Sequence, residues 1–184
     1  MFRIVIPARY ESTRFPGKPL ALIDGRPMIV CVYERARATS AREVIVATDD
    51  ERIAAAARLA GADVCMTAST HVSGTDRIAE VARERGFGTD DIVVNLQGDE
   101  PRMPAALVEQ AAAALAAHPA ASIATVAAPV RSREEYLDPN VVKVVTDREG
   151  RALYFSRAPL PHDRDGDGHE ARRHIGLYAW RTRA

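Results

Sequence analysis

The chain has 184 residues, and its 25 basic and 25 acidic side chains give a formal net charge of zero. This balance disfavours a nucleic-acid-binding protein, because such proteins usually carry a clustered basic surface and a high isoelectric point. Hydrophobic residues make up 47% of the chain and charged residues 27%, which is typical of a folded globular protein and not of a disordered one.

Secreted and membrane proteins are also disfavoured. The two cysteines, Cys31 and Cys65, form no CxxC pair and cannot build a disulfide framework, which favours a reducing compartment. The apolar run in residues 1–7 is too short for a signal peptide. The longest apolar stretch, residues 120–130, contains polar residues and a proline, and it is much shorter than the ~20 residues of a membrane helix. We therefore expect a cytoplasmic protein that binds neither nucleic acid nor membrane.

Short apolar runs alternate with helical patterns along the first 130 residues. Nearly continuous β-rich runs predict strands at 2–6, 44–47, 62–65, 92–96 and 122–126. Apolar residues at helical spacing, with capping and stop signals, predict helices at 27–39, 50–60, 75–85 and 104–117. This alternation predicts an α/β fold with a doubly wound, mostly parallel sheet.

The pattern changes after residue 130. Two strands at 140–146 and 151–155 are expected to form a hairpin around residues 147–150, followed by a polar loop at 162–173 and a strand at 174–180. These elements predict a small additional β-rich region. No repeat or linker divides the chain, so we expect a single domain over residues 1–184.

A basic loop follows the first predicted strand. Residues 7–19 contain Arg9, Arg14 and Lys18, one serine and one threonine, Gly17 and three prolines, so the segment cannot continue as a helix. Ligands of open α/β sheets bind at the carboxyl ends of the strands, and arginine and lysine side chains bind phosphate oxygens. We therefore favour phosphate binding here over a merely solvated basic loop.

Two carboxylates, Asp99 and Glu100, follow the fourth strand directly and lie at the same edge of the predicted sheet. Mg²⁺ prefers one or two carboxylates together with phosphate oxygens. Capping of the helix that follows is the alternative role. Beside a phosphate-binding loop, the metal role is favoured, with Asp99 as the better ligand.

Several segments together resemble one enzyme family. They are, in chain order, PARYESTRFPGKPL, ATDD, HVSGTDR, NLQGDEP, PNVVKVV, YFSRAPLP and RHIGLYAW. In this order they resemble the 3-deoxy-manno-octulosonate (Kdo) cytidylyltransferases, also called CMP-Kdo synthetases, over essentially the whole chain. The resemblance implies a Rossmann-like nucleotidyltransferase fold and the reaction of CTP with Kdo to give CMP-Kdo and pyrophosphate, with Mg²⁺, for lipopolysaccharide biosynthesis.

The resemblance also implies roles for individual residues. The expected triphosphate ligands are Arg9, Arg14 and Lys18, with Asp99 as the Mg²⁺ ligand, and Arg9, Lys18 and Asp99 form the catalytic set. The cytidine is expected to contact Gln97, the backbone of Pro7 and Ala8, and the Ser73–Gly74 turn. The sugar-acid pocket is expected to contain Arg157, His174 and Tyr178, with Arg77 as a further member.

For each of these residues, the sequence alone also leaves a purely structural role open. Ser73 can cap the following helix. His174 and Tyr178 lie four residues apart on a predicted strand, share one face of it, and can simply pack in the core. Lys143 alternates with valines and is expected to be structural. No role is predicted for His71 or Asp49.

The family pattern continues beyond residue 184, through a segment that carries a further Kdo contact, a second metal carboxylate and much of a homodimer contact. We therefore expect this chain to be a C-terminally truncated nucleotidyltransferase domain and the full protein to form a homodimer. Two alternatives remain open at this point. One is a cytidylyltransferase for another sugar acid, such as an 8-amino Kdo analogue or sialic acid, and the other is a CTP-binding protein without turnover.

Overall fold

The computed structural model of the chain describes residues 1–11, 15–164 and 171–183. Its contacts divide the chain into two units, Met1–Ala124 with Leu177–Ala184, and Thr125–Gly176. A single domain over residues 1–184 therefore stays a prediction.

The strands and helices lie close to the positions that the sequence predicts. The strands are β1 (Phe2–Ala8), β2 (Leu22–Ile23), β3 (Arg26–Pro27), β4 (Glu43–Thr48), β5 (Asp63–Met66), β6 (Ile92–Asn95), β7 (Ile123–Pro129), β8 (Lys143–Thr146), β9 (Ala152–Ser156) and β10 (Arg172–Arg181). The helices are α1 (Met28–Arg37), α2 (Glu51–Leu59), α3 (Gly74–Glu84), α4 (Ala105–Ala117) and α5 (Arg133–Leu137). The short β2–β3 hairpin and α5 are elements that the sequence analysis did not predict.

The sheet of the first unit is mostly parallel, as predicted. Its strand order is β5-β4-β1-β6, with three parallel pairings, and β10 then pairs antiparallel with β6 through Tyr178–Arg181. The α/β class is therefore confirmed, with a mixed sheet. The carboxyl ends of β1, β4, β5 and β6 lie along one edge, which is where such folds bind ligands.

Both faces of this sheet are buried, which explains the continuous apolar runs in the sequence. On one face, α3 packs against β1 and β4, and a hydrophobic cluster forms from Val5, Ile45, Ala47, Cys65, Ile78, Val81 and Val93. Ile4, Ile6, Val46 and Val94 alternate with these strand residues, so they point to the other face, and each is fully buried. Among the described residues, no helix is both long enough and apolar enough to cross a membrane.

The second unit is the β-rich region that the sequence predicts after residue 130. Here β8 and β9 form an antiparallel hairpin, and Arg172 and Arg173 of β10 pair with β8. Helix α5 is capped by Ser132, whose hydroxyl accepts a hydrogen bond from the Glu135 amide.

Candidate functional site

A cavity of about 330 Å³ lies at the carboxyl ends of β1 and β6, beside the start of α3, and is called the first cavity below. Its lining includes most of the predicted nucleotide and metal residues, namely Pro7, Ala8, Arg9, Lys18, Ser73, Gly74, Gln97 and Asp99. It also includes Arg77, His71 and Gly98. Arg14, the remaining predicted triphosphate ligand, lies outside the described residues. The fold therefore brings together residues from three separate segments of the sequence.

Lys18 and Asp99 form an ion pair within this cavity. The Lys18 Nζ donates to Asp99 Oδ2 over 2.6 Å, and the two side chains are 39% and 49% exposed. An exposed ion pair of this kind contributes only about 0–1 kcal/mol, because solvent screens the charges. Both groups can therefore exchange their partner for a ligand at little cost.

The chain leading to Lys18 is held in place by Tyr10. The amide of Gly17 donates to the carbonyl oxygen of Tyr10 over 2.8 Å, which holds these two residues of the basic loop together. Gly17 has a φ of 73°, and a Cβ there would lie 3.1 Å from the tyrosine ring. The guanidinium of Arg52 stacks on the Tyr10 ring, with its Cζ 3.4 Å from the ring centroid. The Nη2 of Arg52 donates to Asp50 Oδ2 over 2.6 Å. Arg52, in the first turn of α2, therefore contacts the segment of chain that leads to Lys18.

Ser73 is the N-cap of α3. Its hydroxyl oxygen accepts from the Asp76 amide over 3.2 Å, and the Asp76 carboxylate accepts from the Ser73 amide over 3.1 Å, which forms a capping box. The capping role that the sequence left open is therefore real. It also places the amino end of an 11-residue helix in the wall of the first cavity, where its amide groups favour negative ligand atoms.

Gly98 allows a close backbone approach that the sequence analysis did not identify. A Cβ atom at this position would lie 2.9 Å from the carbonyl oxygen of Pro7 and 3.5 Å from the Cβ of Ala8. The loop after β6 therefore contacts the end of β1 directly. This contact sets the positions of Gln97 and Asp99 relative to the basic loop.

Arg77, predicted for the sugar pocket, is engaged inside the wall of the first cavity. It is only 3% exposed, its Nη2 donates to Asp49 Oδ2 over 2.7 Å, and its Nη1 donates to the hydroxyl of Thr67. Asp49 and Thr67 follow β4 and β5, so Arg77 ties α3 to two strand ends. Breaking a buried pair of this kind typically costs about 3–5 kcal/mol. A sugar contact by Arg77 stays a prediction.

His71 and Glu80 form a second pair that the sequence analysis missed. The His71 Nε2 contacts Glu80 Oε2, and the amide of Ala68 donates to the same oxygen over 3.0 Å. The hydrogen bond from His71 is the main cause of a lowered pKa for the Glu80 carboxyl. The pair anchors the loop between β5 and α3, which carries Val72 and Ser73 into the cavity wall. A histidine nine residues before a helical glutamate was the available signal, but such spacings are common.

A second cavity of about 470 Å³ lies beside the first and shares Gly74 and Gln97 with it. Tyr178, predicted to contact the sugar, lines this second cavity, and its ring stacks on Trp180 with centroids 6.3 Å apart. Burial raises the pKa of the Tyr178 phenol. The other polar side chains in the wall include Asn95 and Gln97, and the apolar ones include Ile78, Val93 and Trp180.

His174 and Arg157, the other predicted sugar residues, belong to the second unit. The Nε2 of His174 lies 2.8 Å from the hydroxyl oxygen of Thr125, and its ring meets Phe155 edge-on at 5.0 Å. Burial lowers the pKa of His174, which favours the neutral form of the ring. Arg157 is exposed, and its Nη1 donates to the carbonyl oxygen of Pro139 over 2.9 Å.

Lys143 is a fully buried lysine in the second unit. Its Nζ donates to the carbonyl oxygens of Asp138, Val141 and Arg157 over 2.9, 2.7 and 2.8 Å. This geometry confirms the structural role expected from the sequence. Because one of the three acceptors is the backbone of Arg157, the ammonium also holds that predicted sugar residue in place.

The carboxylates beside the first cavity suit a divalent cation that brings most of its own ligands. In the described part of the chain, no group of three or more histidine, cysteine or acidic side chains is arranged to hold a metal. Asp99 is half exposed, and Glu100 follows it. Burial and the nearby negative charge of Asp99 raise the pKa of Glu100. One or two carboxylates suit Mg²⁺, which usually keeps waters and takes phosphate oxygens from its substrate.

Comparison with known proteins gives consistent results. The model of the cytidylyltransferase family matches residues 3–184. The 3-deoxy-manno-octulosonate cytidylyltransferase of Cellvibrio japonicus is 54% identical over 98% of this chain and 75% of its own length, and that of Vibrio vulnificus is 53% identical over 98% and 74%. A solved CMP:2-keto-3-deoxy-manno-octonic acid synthetase complexed with CTP superposes with a TM-score of 0.92 at 43% identity, over 99% of this chain and 75% of that one.

Proposed function

The chain belongs to the family of 3-deoxy-manno-octulosonate cytidylyltransferases, and from this membership we propose that it transfers CMP from CTP to Kdo and releases pyrophosphate. The observation that carries the proposal in this chain is the first cavity. It joins the cationic side chains of Arg9 and Lys18 with a helix amino end, an amide side chain and a carboxylate at the ligand-binding edge of the sheet. The second cavity adjoins it and gives room for a second substrate.

Arg9 and Lys18 bind the triphosphate in this proposal, together with Arg14. Lys18 can turn from Asp99 to a phosphate oxygen because their pair is exposed and weak. The amino end of α3 and the side chain of Gln97 face the same space and orient the cytidine.

The chemistry requires positioning and charge stabilisation more than covalent help from the protein. The anomeric hydroxyl oxygen of Kdo attacks the α-phosphorus of CTP in line. A new P–O bond forms, the bond to the β-phosphate oxygen breaks, pyrophosphate leaves, and the hydroxyl proton passes to solvent. Arg9 and Lys18 stabilise the negative charge that develops on the transferring and leaving oxygens.

Asp99 holds Mg²⁺ in this proposal, with Glu100 as its neighbour. When bound, Mg²⁺ would offset the negative charge of the phosphates and favour loss of the proton from the attacking hydroxyl. Turning Lys18 towards the triphosphate at the same time frees the Asp99 oxygen for the cation. Lys18 and the two carboxylates thus change their partners together when CTP and the cation bind.

The sugar acid contacts Tyr178, His174 and Arg157, with Arg157 as the partner of its carboxylate. Arg77 supports the site from within the wall. By family membership we also propose a homodimer and a cytoplasmic location. Sedimentation of the purified protein tests the dimer.

The experiment that tests the proposal is pyrophosphate release from CTP and Kdo in the presence of Mg²⁺, with Asp99→Asn beside the unchanged chain. We expect release by the unchanged chain and a loss of at least a hundredfold in the variant. Asp63→Asn is a matched control, since Asp63 also forms an exposed ion pair, 2.7 Å from Arg85, with exposures of 51% and 37%.

Three results would count against the proposal. Release with an 8-amino Kdo analogue or sialic acid but not with Kdo would reassign the sugar acid. CTP binding without release from any sugar acid would leave a binding protein. Equal losses in Asp99→Asn and Asp63→Asn would remove the specific role of Asp99.

A further inference from the structure

Asn95 carries a buried polar atom that the fold leaves unpaired. The residue is only 3% exposed. Among the buried side-chain oxygen and nitrogen atoms in the described part of the chain, its Oδ1 is the one that has no hydrogen-bond partner. Buried acceptors are paired in the great majority of native structures, because an unpaired one loses its bond to water. An exception of this kind calls for an explanation.

The surroundings of Asn95 point to a ligand in the second cavity. Tyr178 of β10 is its direct partner across the β6–β10 pairing, so both side chains stand on the same face of the sheet. Gln97 lies two residues further on, and all three residues line the second cavity. Most of the remaining lining residues are apolar, and the other polar ones are Thr75, Arg181 and Thr182.

The charge of the second cavity selects the kind of ligand group. Arg181 is the charged residue in its lining, and its Nε and Nη2 already donate to the backbone carbonyls of Ala121 and Leu115. An acidic group is therefore not the natural occupant. An uncharged hydroxyl group, which can donate to an amide oxygen and tolerate apolar walls, fits the lining.

We propose that Asn95 determines substrate specificity by rotating its amide towards the second cavity and accepting a hydrogen bond from a hydroxyl group on the carbon chain of the sugar acid, which enters this cavity beside Tyr178. The inference rests on the proposed function, since that function supplies the polyhydroxylated substrate. It adds a recognition residue at the carboxyl end of β6 to the sugar contacts expected from the family pattern. A site built around a substrate hydroxyl discriminates against an analogue that lacks it, because the buried acceptor is then left unpaired.

The test compares Asn95→Leu and Asn95→Asp with the unchanged chain. Leucine has a similar volume and no acceptor, whereas aspartate keeps an acceptor oxygen. Gln110→Leu is the matched control, an amide-to-leucine change at an exposed position of α4. The substrates are Kdo and a set of deoxy derivatives, each lacking one hydroxyl group other than the anomeric one.

We expect Asn95→Leu to raise the KM for Kdo about tenfold, as the loss of one neutral hydrogen bond implies, and to leave the KM for CTP within twofold. One deoxy derivative should be a poor substrate for the unchanged chain and for Asn95→Asp, but equal to Kdo for Asn95→Leu. The thermal unfolding midpoint of Asn95→Leu should not fall, because the change removes an unpaired acceptor. This last result separates recognition from a structural role.

Trp180, the single tryptophan of the chain, lines the same cavity and reports ligand entry by its fluorescence. Kdo should change this fluorescence with a dissociation constant that Asn95→Leu weakens about tenfold. The measurement needs no turnover, so it tests the inference even if pyrophosphate release fails. An unchanged KM and dissociation constant in Asn95→Leu, or equal losses for Kdo, CTP and stability, would overturn the inference while leaving the proposed function intact.

Discussion

Replacing Gly98 with alanine tests the close contact between the loop after β6 and the end of β1. The added Cβ would lie 2.9 Å from the carbonyl oxygen of Pro7, whereas ordinary contacts of a Cβ begin at 3.4 Å. One of the two backbones must therefore move by about 0.5 Å, the difference between these two distances. Because the obstacle is backbone and not the end of a flexible side chain, rotation of a side chain cannot relieve it.

This displacement should affect both stability and activity. Overpacking of this kind costs about 1–3 kcal/mol in the free energy of unfolding. Gln97 and Asp99 flank Gly98 and would move with it. A misplacement of about 1 Å in an active site can cost ~100-fold, so a movement of half that size should lower kcat/KM about tenfold.

Urea denaturation and pyrophosphate release measure the two effects separately. Gly88→Ala is the matched control, because a Cβ at Gly88 would meet its nearest atom, in the Asp91 carboxylate, at an ordinary 3.6 Å. It should retain the stability and activity of the unchanged chain. Full stability and full kcat/KM in Gly98→Ala would refute the argument that this contact positions the site.

Two further predictions concern buried ionisable groups of the second unit. Lys143→Met leaves three backbone carbonyls without their donor, so we expect the free energy of unfolding to fall by at least about 3 kcal/mol in urea denaturation, and a loss below about 1 kcal/mol would contradict the structural role. Burial holds the pKa of His174 below its ordinary 6.5 in the folded chain. Because the unfolded chain therefore binds more protons near this pH, the free energy of unfolding should fall as the pH drops through 6.5 towards the folded pKa. NMR titration of the His174 ring measures its pKa, and a value above 6.5 would contradict the prediction. The variant His174→Gln should show a weaker dependence of the unfolding midpoint on acid pH.

Much of the first unit could be predicted from the sequence because its signals are local. Buried parallel strands need continuous apolar runs, and helix ends need capping residues and glycines, so each boundary is written within a few neighbouring residues. The basic loop and the Asp99 segment could also be placed together, since both follow strands whose carboxyl ends meet at one edge. The hairpin β2–β3 and the helix α5 were missed because two-residue strands and a five-residue helix leave little periodic signal.

The partner of each side chain within the site depended on the tertiary structure. Lys18 and Asp99 are 81 residues apart, and Arg77 and Asp49 are 28 apart, so no local pattern records either pair. The same holds for the close approach of Gly98 to Pro7 and for the unpaired oxygen of Asn95. The sequence determines which chemical groups reach the edge of the sheet, since strand ends and loops are local features. Only folding decides which of these groups neutralise one another and which stay available to a ligand, because that depends on distances of a few ångströms between segments far apart in the chain.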